Sequence, residues 1–329
     1  MKPSHRTFLR VTAITAALAS GMASAAAQEW PTRPVTMVVT FAAGGPNDTV
    51  ARILAPRMSE VLGQQVIIEN VGGAGGMVGS YRVAKAPPDG YQFVYGNVGT
   101  HAQNQSLYKK PLYNAATDFA PVGLFTTSTK PLIVRNDLPA RTLPDFVAYA
   151  RANQGKMQFG SAGAGSATHV ACVLLNSAID VSVTHVPYRG SVLAMQDLVA
   201  GRIDYMCDAI QTALPQILAH TVKAIALLSP SRTSLLPNLP TASEQGIDID
   251  CDSWAAFFLP KGTPEPIIHR LNEAMSQALD TPAVRDRLEA IGVTPVPPER
   301  RTPEYLAKFV PAEIEKWAAP IKAAGISAD

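Results

Sequence analysis

At 329 residues the chain is long for one hydrophobic core, because cores stop growing near roughly 250–300 residues, so two lobes are expected. Charged residues make up 16% and hydrophobic residues 47%, with 23 Gly and 27 Pro, which excludes a disordered polyelectrolyte, a coiled coil and a collagen. The net charge of +2 comes from the N-terminus: residues 1–27 hold Lys2, Arg6 and Arg10 and no acid, so the remainder is net −1 and offers no nucleic-acid surface.

Those first residues read as an address. A basic start, an Ala-rich apolar stretch from Val11 to Met22 and the small residues Ala23-Ser24-Ala25-Ala26-Ala27 form a secretory signal, predicting cleavage after Ala27 and export to the periplasm. The apolar stretch is too short and too often interrupted by Thr, Ser and Gly for a membrane span, which needs about 20 apolar residues. Three cysteines, Cys172, Cys207 and Cys251, allow at most one internal disulfide. The six histidines never stand at short ligand spacing and no CxxC occurs, so neither a metal nor any other cofactor is expected.

From Trp30 onward the pattern is strand, glycine turn, helix. Val35 to Phe41 is an apolar run that Ala42-Ala43-Gly44-Gly45-Pro46 turns into a helical stretch carrying Val50, Ile53, Leu54 and Met58. Val66-Ile67-Ile68 leads through Gly72-Gly73-Ala74-Gly75-Gly76 to a helix ending near Lys85, stopped by Pro87-Pro88-Asp89-Gly90. A third strand starts at Phe93. Further strands are expected at Met157 to Gly160, Thr184 to Val186, Ile203 to Met206 and Val222 to Leu228, with helices between, and Ser166 is suited to cap one of them. This alternation predicts parallel α/β sheets. Asp252 to Leu259 reads as a strand crossing back between lobes, before helical faces built on Ile267, Leu271, Met275 and Leu279 and on Leu306, Val310, Ile314, Trp317 and Ile321. The division expected is a discontinuous first lobe, 28–125 plus 249–329, with the second, 126–248, inserted into it.

Two of the turns share a grammar. Phe41 to Arg52 (FAAGGPNDTVAR) and Phe159 to His169 (FGSAGAGSATH) each run from a strand end through small residues into a helix start. Free amides and the helix dipole there attract anions, by about 0.3–1 kcal/mol when exposed and up to about 2 when partly buried. The second turn adds the hydroxyls of Ser161, Ser166 and Thr168 and the donor His169. Two such corners on two lobes suit a dicarboxylate, although each alone is also what a tight βα turn looks like. No Arg or Lys falls within either corner's turn, so capture through polar groups and water is expected rather than an ion pair. Arg52 and Arg189 lie just outside and read as structural.

Catalytic patterns fail on spacing. Neither Ser161 nor Ser166 sits in Gly-x-Ser-x-Gly, and Gly73-Ala74-Gly75 lacks the third glycine of a dinucleotide fingerprint, Val78 standing in its place. Asp89 and Asp118 read as turn-closing residues, and His185 as a satisfied core histidine. Asp208 is either a cleft carboxylate or a helix cap, and Tyr188 a phenol that packs or donates to a ligand.

The succession WPTRPVTMVV (from Trp30), FAAGGPNDTVAR, GQQVIIENVGGAGGMVG (from Gly63), APPDGYQF (from Ala86), DFAPVGL (from Asp118), GSAGAGSATH, VPYRGSVLAMQDLVAGRIDYM (from Val186), LPNLPTASEQG (from Leu236) and FLPKGTP (from Phe258) resembles the Bug family, the extracytoplasmic solute receptors of tripartite tricarboxylate transport. The resemblance implies a type II periplasmic binding fold, in which two α/β lobes joined by two crossing strands close on a ligand like a Venus flytrap. It implies a solute-binding protein and not an enzyme, monomeric, whose ligand is a small carboxylate and whose partners are membrane transporter subunits or a sensor kinase. Its ligand contacts would carry over to Phe41, Ala42, Ala43, Gly44 and Asp48 on the first corner and Thr100 on a neighbouring loop. On the second lobe they would be Ser161, Gly163, Ser166, Thr168, His169, Tyr188 and Asp208. The chain departs from the family pattern at Cys207, where an apolar residue is usual, and at Cys172, which suggests a Cys172–Cys207 bridge. Two other readings stand beside the transport receptor: a carboxylate sensor with the same cleft, and an exported enzyme using His169 or Asp208 as a base.

Overall fold

The computed structural model describes residues 30–327, so the expected signal segment lies outside the described residues. In chain order, β1 (Val35–Val39) leads to α1 (Pro46–Leu62), β2 (Val66–Asn70) to α2 (Met77–Ala84), and β3 (Gln92–Asn97) to a turn of π-helix and the short α3 (Asn104–Leu107). Next come β4 (Phe119–Ser128), β5 (Pro131–Arg135), α4 (Leu143–Asn153), β6 (Gln158–Ser161), α5 (Ala167–Ala178), β7 (Thr184–Pro187) and α6 (Ser191–Val199). β8 (Tyr205–Cys207), α7 (Ile210–Leu218) and β9 (Val222–Leu227) precede a long irregular return. The chain closes with β10 (Ser253–Pro260), α8 (Glu265–Asp280), α9 (Pro282–Ala290), β11 (Val293–Pro295) and α10 (Pro303–Ala323).

The strands form two sheets, one ordered β11-β4-β10-β3-β1-β2 and the other β7-β6-β8-β5-β9. Each is the centre of an α/β lobe. The expectation of parallel sheets holds only in part. β2, β1 and β3 run parallel, as do β7, β6 and β8, but β10 is antiparallel to β3 and β4, and β5 to β8 and β9. The antiparallel pairs arise where the chain leaves one sheet for the other without a crossover helix to reverse its direction.

Alternate residues of each strand face opposite sides, so each sheet has a core on both faces. In the first lobe Val35, Met37, Val39, Phe93 and Phe257 pack with α1, α8 and α9, while Val38, Val94, Ala256 and Phe258 pack with α2 and α10. In the second, Leu132, Phe159 and Tyr205 pack with α4 and α5, and Ile133, Met206 and Ile203 with α6 and α7.

Helix starts follow local chemistry. Pro46 opens α1 behind Gly45, and Gly63 ends it in the left-handed conformation. Ser166 caps α5 by accepting the His169 N–H, and Thr142 forms a capping box with Asp145 on α4.

The chain leaves the first sheet at Ser128 and enters the second at Pro131. On its return, β10 lies wholly inside the first sheet rather than bridging the lobes, and the passage is made by the irregular chain before it. The two passages lie beside the stretch that follows β9, so that three lengths of chain run side by side. Leu228 N–H donates to the Lys130 carbonyl and Cys251 N–H to the Leu228 carbonyl, both at 2.8 Å. Ser229 Oγ bonds both Thr129 Oγ1 and the Asp252 carboxylate.

Candidate functional site

The first corner is built from the end of β1. Gly44 takes a φ of +77°, and its N–H donates 2.9 Å to Asp48 Oδ2, an oxygen that also accepts Arg52 Nε at 2.8 Å. Burial works against the Asp48 charge, but Arg52, the Gly44 amide and Asn70 outweigh it and hold the carboxyl below the usual range. Asn70 Nδ2 also donates 3.0 Å to the Phe41 carbonyl. Asp48 thus faces back into the turn and fixes its shape. The surfaces left for a ligand are those of Phe41, Ala42, Ala43, Gly45, Pro46 and Asn47. The Asn47 Nδ2 is buried and has no hydrogen-bond partner, a donor awaiting an acceptor.

The second corner turns from β6 into α5. Ser166 Oγ and Thr168 Oγ1 lie 3.0 Å apart, and Thr168 Oγ1 accepts the Ala162 N–H at 2.9 Å. His169 is turned inward: its Nδ1 accepts the Gly165 N–H at 3.3 Å and its ring stacks on His185 at 4.1 Å. Burial depresses His169 to about 4 and, with the neighbouring His169, His185 to about 3, so both rings are neutral near pH 7. Ser161 is fully buried and bonds His185 Nε2 at 2.7 Å.

The two corners face each other across a cavity of about 200 Å³, lined on the second-lobe side by Ala162, Ser166, Ala167 and Thr168. Two further helix starts join them, Gly190–Leu193 at the head of α6 and Ala209 before α7. Asn97, Lys130 and Ser253 form the floor, from the end of β3, the first passage between lobes and the start of β10. Outside lies a wider cleft of about 740 Å³ between Gly72–Gly76 and Tyr108 on one side and Gly163, Ala164, Tyr188 and Arg189 on the other. The lobes touch at its edge: Tyr108 donates 3.3 Å to the Ala164 carbonyl, and a Cβ added to Gly75 would stand 2.6 Å from the Gly165 carbonyl carbon. The lobes are therefore apposed around the cavity.

Of the expected contacts, Phe41, Ala42, Ala43, Ser166 and Thr168 line the cavity, and Gly163 and Tyr188 line the outer cleft. Gly44 and Asp48 border a separate surface hollow shared with Arg52 and Arg287. Thr100 is buried behind the floor, where its N–H donates 3.1 Å to Asn97 Oδ1 and its Oγ1 accepts the Asn97 N–H at 2.9 Å. Asp208 is buried behind the α6 and α7 starts and accepts Ser191 Oγ at 2.7 Å and Thr212 Oγ1 at 2.6 Å. Burial raises its carboxyl, partly countered by those two hydroxyls. The Tyr188 phenol is committed to Asp197 at 2.7 Å.

Sequence reasoning missed Asn47, Asn97, Lys130, Ser191 and Ser253. Ser191 follows a glycine at a helix start, a signal open to reading. Lys130 carries no local signal and alters the expected absence of a cation: none comes from the two turns, but one stands on the floor.

The suggested Cys172–Cys207 bridge is not formed. Cys172, Cys207 and Cys251 are free and buried inside the core around Phe159, Leu175 and Tyr205. Burial pushes the Cys207 thiol well above its ordinary range and Cys251 up to about 12, which suppresses the thiolate that disulfide exchange requires. Among the described residues no group of three or more His, Cys, Asp or Glu converges on a possible metal position.

The profile of the tripartite tricarboxylate transporter family receptor matches residues 50–326. A protein encoded in the ttuE–ttuC′ intergenic region of Agrobacterium vitis is 42% identical over 301 residues, covering 91% of this chain and 87% of that one. MatC of Rhodopseudomonas palustris, solved with bound malate, superposes with a TM-score of 0.87 at 41% identity, covering 89% of this chain and 100% of that one. The periplasmic binding protein BugD superposes with a TM-score of 0.88 at 37% identity, covering 91% and 99%. The chain belongs to the tripartite tricarboxylate transporter receptor family and is a periplasmic solute-binding receptor of the Bug type.

Proposed function

We propose that this receptor captures a small carboxylate between its lobes and presents it, lobes closed, to the membrane subunits of a tripartite uptake system. One observation carries the reading: the starts of α1, α5, α6 and α7 converge on one small cavity. Each start brings unspent amides and the positive end of a helix dipole, which together favour an anion. The cavity of about 200 Å³ is smaller than the roughly 300–1,000 Å³ of sites for drug-sized ligands, which suits a metabolite of a few carbons. Malate in MatC is such an anion.

On this reading Phe41, Ala42, Ala43, Ser166 and Thr168 meet the ligand, joined by Asn47, Asn97 and Ser191. Gly44, Asp48, Thr100, Ser161, His169 and Asp208 hold those groups in place, and Gly163 and Tyr188 face the entrance. The sheet membership of the strands supports an inserted second lobe but not the expected bounds of 126–248, since β4 stays in the first sheet as far as Ser128, β5 opens the second at Pro131, and Ile249 and Cys251 pack in the second-lobe core. A ligand touching both lobes draws the receptor to its closed form through its differential affinity for that form, and the closed form of a monomer is what the membrane partner reads.

The test is a thermal-shift screen of mono-, di- and tricarboxylates, each beside its neutral amide. The expected result is a rise in melting temperature with acid concentration and none with the amide, following mass action. A flat response to every acid in the screen overturns the reading.

A further inference from the structure

Lys130 is 2% exposed, lies in the first passage between the lobes and lines the cavity floor beside Asn97 and Ser253. Its ammonium carries three donors, yet one hydrogen bond is seen, 2.6 Å to the Cys251 carbonyl. Among the described residues no carboxylate lies within ion-pair distance of it. The three acids nearest in effect are all engaged elsewhere: Asp252 by Ser229, Asp250 by Lys316, and Asp208 by Ser191 and Thr212. A buried cation without a direct counter-ion is costly, and burial indeed draws this ammonium below the ordinary lysine range, against the opposing pull of Cys251, Asp252, Asp250 and Asp208. The helix starts form the wall and Lys130 the floor, so the cavity offers two separate places for negative charge.

We propose that Lys130 is a specificity-determining residue that pairs with a second anionic group of the ligand, so that the receptor selects dianions over monoanions of the same length. This rests on the carboxylate reading above. One carboxylate occupies the helix starts and the other meets the two unspent N–H groups of Lys130. Charge-assisted pairing in a site shielded from water is strong, and a monoanion leaves the ammonium as it stands in the unloaded protein.

Titration calorimetry on the signal-free chain tests this with matched pairs: succinate against butyrate, malate against 3-hydroxybutyrate, and adipate against hexanoate. The expected result for the wild type is a dianion preference of about tenfold or more for at least one pair, the factor that a single hydrogen bond to a charged group supplies. Lys130→Met is expected to bring that ratio close to one by weakening the dianion, and Lys130→Gln to act in the same direction. The wild-type ratios stand as a test even if a variant fails to fold. A wild type that shows no dianion preference in any of the pairs it binds overturns this inference and leaves the carboxylate receptor in place, and so does a folded Lys130→Met protein that keeps the full dianion preference. A wild type that binds none of the six acids overturns this inference, whereas the carboxylate reading falls only with a flat response across the whole thermal-shift screen.

Discussion

Replacing Gly75 by alanine separates lobe closure from the stability of the fold. Gly75 has a φ of +59°, and an alanine Cβ there would come to 2.6 Å from the Gly165 carbonyl carbon across the cleft. The left-handed backbone costs an L-residue about 1–2 kcal/mol whether the lobes are together or apart. At roughly 2–4 °C per kcal/mol for a large domain, this lowers the melting temperature by about 2–8 °C. The overlap with Gly165 exists only when the lobes meet. Overpacking of this kind costs about 1–3 kcal/mol, and a cost confined to the closed state weakens ligand affinity about 5- to 150-fold. Titration calorimetry with an acid that the wild type binds reads the affinity, and small-angle scattering reads the contraction on loading. A Gly75→Ala protein that melts lower yet binds and contracts like the wild type refutes the reasoning, because the apposition of Gly75 and Gly165 then has no part in the loaded state.

Asp48→Ala removes the acceptor for the Gly44 amide and the partner of Arg52. Arg52 is 57% exposed, so its ion pair contributes only about 0–1 kcal/mol, and the hydrogen bond from Gly44 to a charged acceptor about 1.5–3; a lower melting temperature and weaker carboxylate binding are expected together, and unchanged binding in a folded variant counts against the role of Asp48 in shaping the turn. Thiol labelling without reductant is expected to find three reactive cysteines after denaturation and almost none before it; a count of one after denaturation would show a bridge. His169 and His185, held neutral by burial at about 4 and about 3 against an ordinary 6.5, bind protons more readily in the unfolded chain. Stability is therefore full above pH 6.5 and falls as the pH drops through about 4, and melting curves of His185→Gln are expected to show a shallower fall over that window; an equal fall in the variant points to other groups.

What could be read from the sequence was what is encoded locally. The turns at Ala42–Pro46 and Ala162–Ser166 announce themselves because a strand end, small residues and a helix start are contiguous, and they reach the cavity as expected. β4 and β5 were not foreseen. Pro121 and Gly123 interrupt the apolar alternation of β4, whose pairing with β10 is irregular where the two strands slip register. Polar residues near helix starts were identified, but not the direction they face. Asp48, His169 and Asp208 sit where a short side chain returns to nearby amides or hydroxyls as readily as it points to a ligand. Lys130 was out of reach for another reason: its place on the floor depends on three distant stretches, near 130, 228 and 251, lying side by side.

The four helix starts around the cavity are unequally shared. α5, α6 and α7 belong to the second lobe and only α1 to the first. On the carboxylate reading proposed above, parting of the lobes would leave most of the positive field with one half, a cradle able to detain an arriving anion before the other half swings in. Association then depends chiefly on the inserted lobe, whereas α1 and its glycine turn act mainly on how long the cargo stays. Changes on the two sides of the mouth should accordingly leave different kinetic signatures, the one in arrival and the other in departure.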